Sequence, residues 1–238
     1  MTPPTRLTPR RVVGVSLLLA AAACSSDGTT PVRAASVSVS VGATVEGAVG
    51  PDAVARGPEH TLHIDRVGLV VSGLELAGAD GHEPLEAGPF LLDVPLDGTV
   101  RSLIAATVPP GRYDAVRLEL WPLNATEPAD QGLLVVHPDV EGLSVRVEGR
   151  WDGAPFVYGR ALGGVRLLAL EPPVEVWGRT ANVTLALDVG SWFRRDDGTL
   201  VNPADAGDGT PAGAEVETRI LASLRAFEDA DADGVAGG

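Results

Sequence analysis

Apolar and polar residues alternate with a period of two along most of this chain, and that constrains its fold more than any other feature. In "SVSVSV" (36–41), Val37, Val39 and Val41 fall on one side of an extended backbone and the serines on the other. The same style runs through "TLHIDRVGLVVSGLEL" (61–76), where Gly68 and Gly73 mark bends. It continues through "GPFLLDVPL" (88–96), closed by Pro95, and through 102–123, which turns at Pro109-Pro110-Gly111. "GLLVVHP" (132–138) reads as a further short strand. "SVRVEGRWDGAPFVYG" (144–159) reads as a hairpin about Asp152-Gly153, a dipeptide that tolerates positive φ. In "ANVTLALDVGSWF" (181–193), Val183, Leu185, Leu187 and Val189 share a face. With 29 Gly and 19 Pro between such runs, the pattern predicts an all-β fold. The expected form is a single antiparallel β-sandwich of about eight strands, or a barrel-like closure of them.

The style changes near residue 194. "RRDDGTLVNPADAGDGTPAG" (194–213) reads as a long polar loop. After it, Val216, Ile220, Leu224 and Phe227 recur at helical spacing, predicting one short C-terminal helix over 214–227. The strands and this helix form one expected domain, 36–228, followed by an acidic tail, 229–238.

The N-terminus speaks to location. Arg6, Arg10 and Arg11 precede a 12-residue apolar stretch, Val12–Ala23, too short to span a bilayer and suited to a signal peptide. "LAAAAC" then ends on Cys24, the one cysteine in the chain. This is similar to a bacterial lipobox, with Ala21 where Leu is usual and Ala22 and Ala23 in place. The alternative, ordinary cleavage at A-x-A, would leave a lone free thiol in an exported protein. The expectation is therefore a lipoprotein signal peptide (1–23), lipidation of Cys24, and a flexible tether (24–35). More than one acyl chain gives stable anchoring to the membrane, whereas a single chain is marginal. Ser25 rather than Asp in the second mature position points to the outer membrane of the cell envelope.

Charge excludes one class of partner. The net charge is −14, and removal of 1–23, with three Arg and no acid, takes it to −17. Nucleic acid, which needs basic patches, is not an expected partner. Motifs exclude others. There is no G-x-S-x-G, and Ser191 in "DVGSW" reads as a turn residue. His60 and His63 are three apart and fall on opposite faces of a strand, and neither His82 nor His137 belongs to an HExxH pair. No Gly-rich loop opens onto a helix after a strand, so nothing cradles phosphate. Trp121, Trp151, Trp177 and Trp192 could stack on sugars, yet with only ten aromatics in the chain they serve equally as packing residues.

The tail "DADADGVAGG" carries the one metal-like pattern. Asp229, Asp231 and Asp233 occupy positions 1, 3 and 5 of a calcium loop, Gly234 the sharp turn at 6 and Val235 the carbonyl at 7. The bidentate Glu at position 12 would be residue 240, so a self-contained EF-hand is not formed. Further oxygens could come from Asp196, Asp197, Asp205 or Asp208 in the preceding loop. The alternative is a solvated acidic end.

Three stretches together resemble a group of bacterial secreted and lipoprotein β-sandwich domains with no assigned reaction. They are "FLLDVPLDGTVRSLIAATVPPGRYDAVRLEL" with its "lPaGxYxxIrL"-like strand, "SVRVEGRWDGAPFVY", and "VTLALDVGSWFRRDDGTLVNP" followed by "ILASLRAFEDADADG". The resemblance covers roughly residues 60–234; it implies the sandwich fold and a role for the acidic end, and it implies no activity. The combined expectation is a lipid-anchored, non-enzymatic envelope protein that binds a protein or glycan or serves a structural role. A calcium-stabilised carbohydrate-binding module and a secreted enzyme with an unrecognised carboxylate site are the alternatives.

Overall fold

In the computed structural model, residues 35–44, 53–57, 59–78, 81–86 and 88–236 are described. The expected signal peptide (1–23), Cys24 and the rest of the expected tether up to residue 34 lie outside them, while Ala35 opens the first strand. Val32–Gly238 form one compact unit.

Thirteen strands occur among the described residues: β1 (Ala35–Thr44), β2 (Ala53–Arg56), β3 (Thr61–Val71), β4 (Gly73–Gly78), β5 (Gly81–Glu86), β6 (Phe90–Asp93), β7 (Val100–Val108), β8 (Gly111–Leu120), β9 (Val145–Trp151), β10 (Ala154–Arg160), β11 (Gly164–Val176), β12 (Ala181–Asp188) and β13 (Leu224–Glu228). Two α-helices accompany them, α1 (Pro128–Val136) and α2 (Pro211–Ser223). The strands form three sheets, ordered β13-β12-β1-β7, β10-β9-β3-β2 with β6 also on β3, and β11-β8-β4-β5. Each sheet keeps its two edges, so the barrel-like closure is not formed among the described residues. The protein is mostly β, and one hydrophobic core joins the sheets, drawing Val37 from the first, Ile64 and Val147 from the second, and Leu76 and Leu118 from the third.

The alternating runs become strands where expected, and the β9–β10 turn takes positive φ at both Asp152 (50°) and Gly153 (85°), the geometry of a two-residue type I′ hairpin. Three expectations are corrected. The sheets are not wholly antiparallel: β1 runs parallel to β12, from Val37↔Ala181 to Thr44↔Asp188. Periodicity reports which face a residue takes and carries no strand direction.

Residues 132–138 belong to a helix and the turn after it. Pro128 opens α1, Asp130 sits in its first turn, and the Asp130 carboxylate accepts the Asn124 N–H at 2.8 Å. Leu133 and Leu134 rest on a small cluster of Val70, Leu123 and Val140. These start signals outweigh the β preference of Leu-Leu-Val-Val.

The C-terminal helix is shifted. Thr210 caps it by accepting the Gly213 N–H at 2.9 Å, and Pro211 stands at its start. It ends at Ser223, and Leu224–Glu228 join β12 as an antiparallel strand, with Leu224 opposite Leu187. Val216 and Ile220 are buried on the helix as expected, while Leu224 is buried from a strand. Fourfold spacing across a helix–strand junction mimics a longer helix. Trp192, fully buried, donates its indole N–H to Ser223 Oγ at 2.8 Å and so pins that junction.

Finally, β11 is a strand that the period-two reading does not place. Pro172 and Pro173 interrupt its alternation, and its register on β8 shifts between Ala169 and Val174. It is an edge strand, where the missing proline N–H groups are tolerated.

Candidate metal centre

The chain leaves β13 at Glu228 and turns back at once. Asp229 is the hinge of this turn and is fully buried. Its backbone N–H donates to Asn182 O at 3.0 Å, and Asn182 Nδ2 reaches Ala230 O at 3.4 Å, so the start of β12 holds the turn from beneath. The Asp229 carboxylate accepts three bonds: the Thr184 hydroxyl at 2.7 Å and the Gly234 N–H at 3.0 Å on Oδ2, and the Asp233 N–H at 3.1 Å on Oδ1. A buried carboxylate must be so satisfied, because an unpartnered one costs several kcal/mol. Ala232 and Gly234 take left-handed backbone, with φ of 58° and 85°. Glycine is needed at 234 on a second count, since a Cβ there would stand 2.7 Å from Val100 Cγ2.

The result is a tight turn in which carboxylate oxygens of Asp229, Asp231 and Asp233 all lie within 4.8 Å of one another. Two oxygens across a calcium ion, each about 2.4 Å from it, are separated by about 5 Å. The triad could therefore hold a metal ion. Asp231 and Asp233 are exposed, and Asp233 also accepts the Val235 N–H at 2.8 Å. Every group is a hard oxygen acceptor, with no nitrogen or sulfur among them, which suits calcium or magnesium rather than a softer ion. No arginine reaches the triad among the described residues.

The four further aspartates that the sequence offered do not join it. Asp196 takes Arg219 at 3.1 Å. Asp197 closes an Asp-Gly-Thr turn on the Thr199 hydroxyl and N–H, which hold its carboxyl below the ordinary range. Asp208 takes Arg160 at 2.6 Å, and Asp205 lies on another pocket. Arginines satisfy Asp196 and Asp208 and a threonine satisfies Asp197, while Asp205 faces a different pocket. Conversely, sequence reasoning passed over Thr184, 45 residues upstream of the carboxylate it anchors. The only trace of it in the sequence is a Thr on the polar phase of β12.

The remaining candidates scatter. His60 pairs with Asp152 and His63 with Asp65, at 2.7 and 2.8 Å, and they form no shared site. The His82 side chain lies outside the described residues, and His137 ends α1. Ser191 donates to Asp188 O in a 3-10 turn, as a turn residue does. Trp192 is core, Trp121 and Trp177 are exposed, and Trp151 lines a pocket. Among the described residues no helix is long and apolar enough to cross a membrane.

No family model and no curated protein sequence matches the chain. Its backbone is similar to that of MbnP from Methylosinus trichosporium, with a TM-score of 0.46 and 14% sequence identity, over 82% of this chain and 99% of that one. Likeness at that level assigns no family.

Proposed function

We propose that this protein is a lipid-anchored component of the bacterial cell envelope, held at the outer membrane through Cys24, with a β-sandwich domain that binds a partner or serves a structural role and catalyses no reaction. The domain carries calcium at its C-terminal turn, on Asp229, Asp231 and Asp233, with the Val235 carbonyl as the fourth protein ligand. The observation that carries this reading is the clustering of the three carboxylates on a turn already closed by the Asp229 hydrogen bonds. Three sheets around one core support the sandwich form.

Charge, coordination and location agree. Three carboxylates and few other oxygens make an open, weak site, of the class that fills at about 0.1–1 mM calcium. Such calcium lies outside the cytoplasm, where the signal-like segment before Cys24 would send the chain. The partner is a protein or a glycan; a net charge of −14 disfavours nucleic acid. Palmitate labelling of the expressed protein tests the anchor. Label that disappears in Cys24→Ala is the expected result, and label that persists in that variant, or never appears, contradicts it.

A further inference from the structure

A polar pocket of about 240 Å³ opens beside the β9–β10 turn, far in sequence from the acidic tail. His60 and Trp151 line it from beside the start of β3 and from the β9–β10 hairpin, and Arg195, Leu200, Asn202 and Asp205 line it from the segment before α2.

The first of these groups is held by the hairpin turn. Asp152 accepts the Thr61 N–H at 2.8 Å and meets His60 Nδ1 at 2.7 Å, while its own N–H donates to Thr61 O at 2.9 Å. Turn, strand start and imidazole are locked together, and the His60 ring lies 4.8 Å from that of Trp151 at 32°. A carboxylate only accepts, so the proton of a neutral His60 sits on Nδ1 and leaves Nε2 as an acceptor.

The second group is equally fixed. Arg194 bridges Leu200, and the Arg195 N–H bonds Thr199 O at 2.8 Å. Arg195 Nε holds Glu215 at 3.1 Å, which orients the guanidinium and leaves its terminal nitrogens without a protein partner among the described residues. Asn202 Oδ1 caps the 203–205 turn through the Ala204 N–H at 3.0 Å, leaving its amide NH₂ to donate. The exposed Asp205 carboxylate has no protein partner among the described residues.

The pocket thus offers donors from Arg195 and Asn202, acceptors from His60 and Asp205, and apolar surface from Trp151 and Leu200. An anion would use the donors and be repelled by Asp205, with Asp152 on His60 and Glu215 on Arg195 close by. A metal ion would use the acceptors and be repelled by Arg195. A neutral polyol satisfies both sets, because each hydroxyl donates and accepts. We infer that this pocket binds a neutral saccharide, with Arg195, Asn202, Asp205 and His60 as hydrogen-bonding partners and Trp151 beside it. This rests on the reading of the domain as a binding module and names its ligand class.

Fluorine NMR of the full-length protein carrying 5-fluorotryptophan tests it, since the chain has four tryptophans and only one lines the pocket. Glucose, galactose, mannose and N-acetylglucosamine are titrated to about 50 mM, beyond the millimolar range of weak single-site ligands. The expected result is a saturable shift of the Trp151 resonance with at least one of them, while Trp121, Trp177 and Trp192 stay in place. Asp205→Ala, an exposed change that leaves all four resonances, weakens that sugar about tenfold. No Trp151 shift with any of the four, a response to inorganic phosphate alone, or an undiminished response in Asp205→Ala overturns the assignment. Calcium binding and Cys24 labelling measured on the same protein separate failure of this site from failure of the envelope reading.

Discussion

Asp196, Asp197 and Asp208 in the loop before α2 each close on a nearby donor, Arg219, Thr199 and Arg160, whereas Asp229, Asp231 and Asp233 at the C-terminus converge on one another. The two stretches are alike in composition, and the availability of arginine separates them. Arg160 and Arg219 project from elements packed against the loop and neutralise Asp208 and Asp196 in place. No arginine reaches the tail among the described residues; hydroxyl and backbone N–H groups satisfy its one buried carboxylate and leave the two exposed ones in excess. Carboxylate spacing alone does not make a cation site. Spacing without a competing cation on the protein leaves carboxylates that could hold one.

The comparison is broken most severely at Asp229. Asp229→Ala removes three hydrogen bonds from a fully buried position and strands the Thr184 hydroxyl beneath the turn. A loss of about 3 kcal/mol is expected in metal-free denaturant melts, together with loss of calcium binding. On the loop side the guanidinium is the buried partner: the Arg160 side chain is 10% exposed and that of Asp208 82%. Arg160→Ala should cost about 2 kcal/mol, Asp208→Ala a few tenths, and neither should change calcium affinity.

Much of this was open to a reader of the sequence and some of it was not. Strands β1, β3, β8, β9, β10 and β12 follow from alternation, because the side-chain period of a strand is two; in β8 and β9 the alternation tracks burial, while β3 over 67–71 and β12 over 183–187 are buried on both faces. Strand β11 is hidden by Pro172 and Pro173, and β13 by a fourfold spacing that continues from α2 through the junction at Ser223. The parallel pairing of β1 with β12 joins segments more than 140 residues apart, which local pattern does not report. In the tail, the Asp-x-Asp-x-Asp-Gly spacing was legible, whereas the acids of 196–208 do not join it: Asp196 and Asp208 are held by arginines, Asp197 by Thr199, and Asp205 lines a different pocket. The Thr184 anchor depends on the tertiary crossing of the turn over β12.

A smaller effect sharpens the loop side. Tyr158 packs edge-on against Phe193 at 5.2 Å, and burial, opposed by Arg160 and aided by Glu217 and Asp208, pushes its hydroxyl from 10.0 up to about 12. A group whose folded pKa is raised contributes stability that is present below its unfolded pKa and lost as pH rises through the folded one. Stability should therefore fall between pH 10 and about 12, and Tyr158→Phe should flatten that limb of a pH–stability profile. An unchanged limb in the variant would remove Tyr158 as its cause.

Calorimetric titration of the full-length protein with calcium, beside Asp231→Ala, tests the central claim most directly. Asp231 is exposed and holds up nothing in the fold, so the variant should melt like the wild type in chelator. The wild type should show saturable binding with Kd of about 0.1–1 mM and a calcium-dependent rise in Tm, both lost in Asp231→Ala. Absence of heat at about 5 mM calcium, well above the range of weak extracellular sites, or binding that survives Asp231→Ala, would contradict the assignment of the turn as a calcium site.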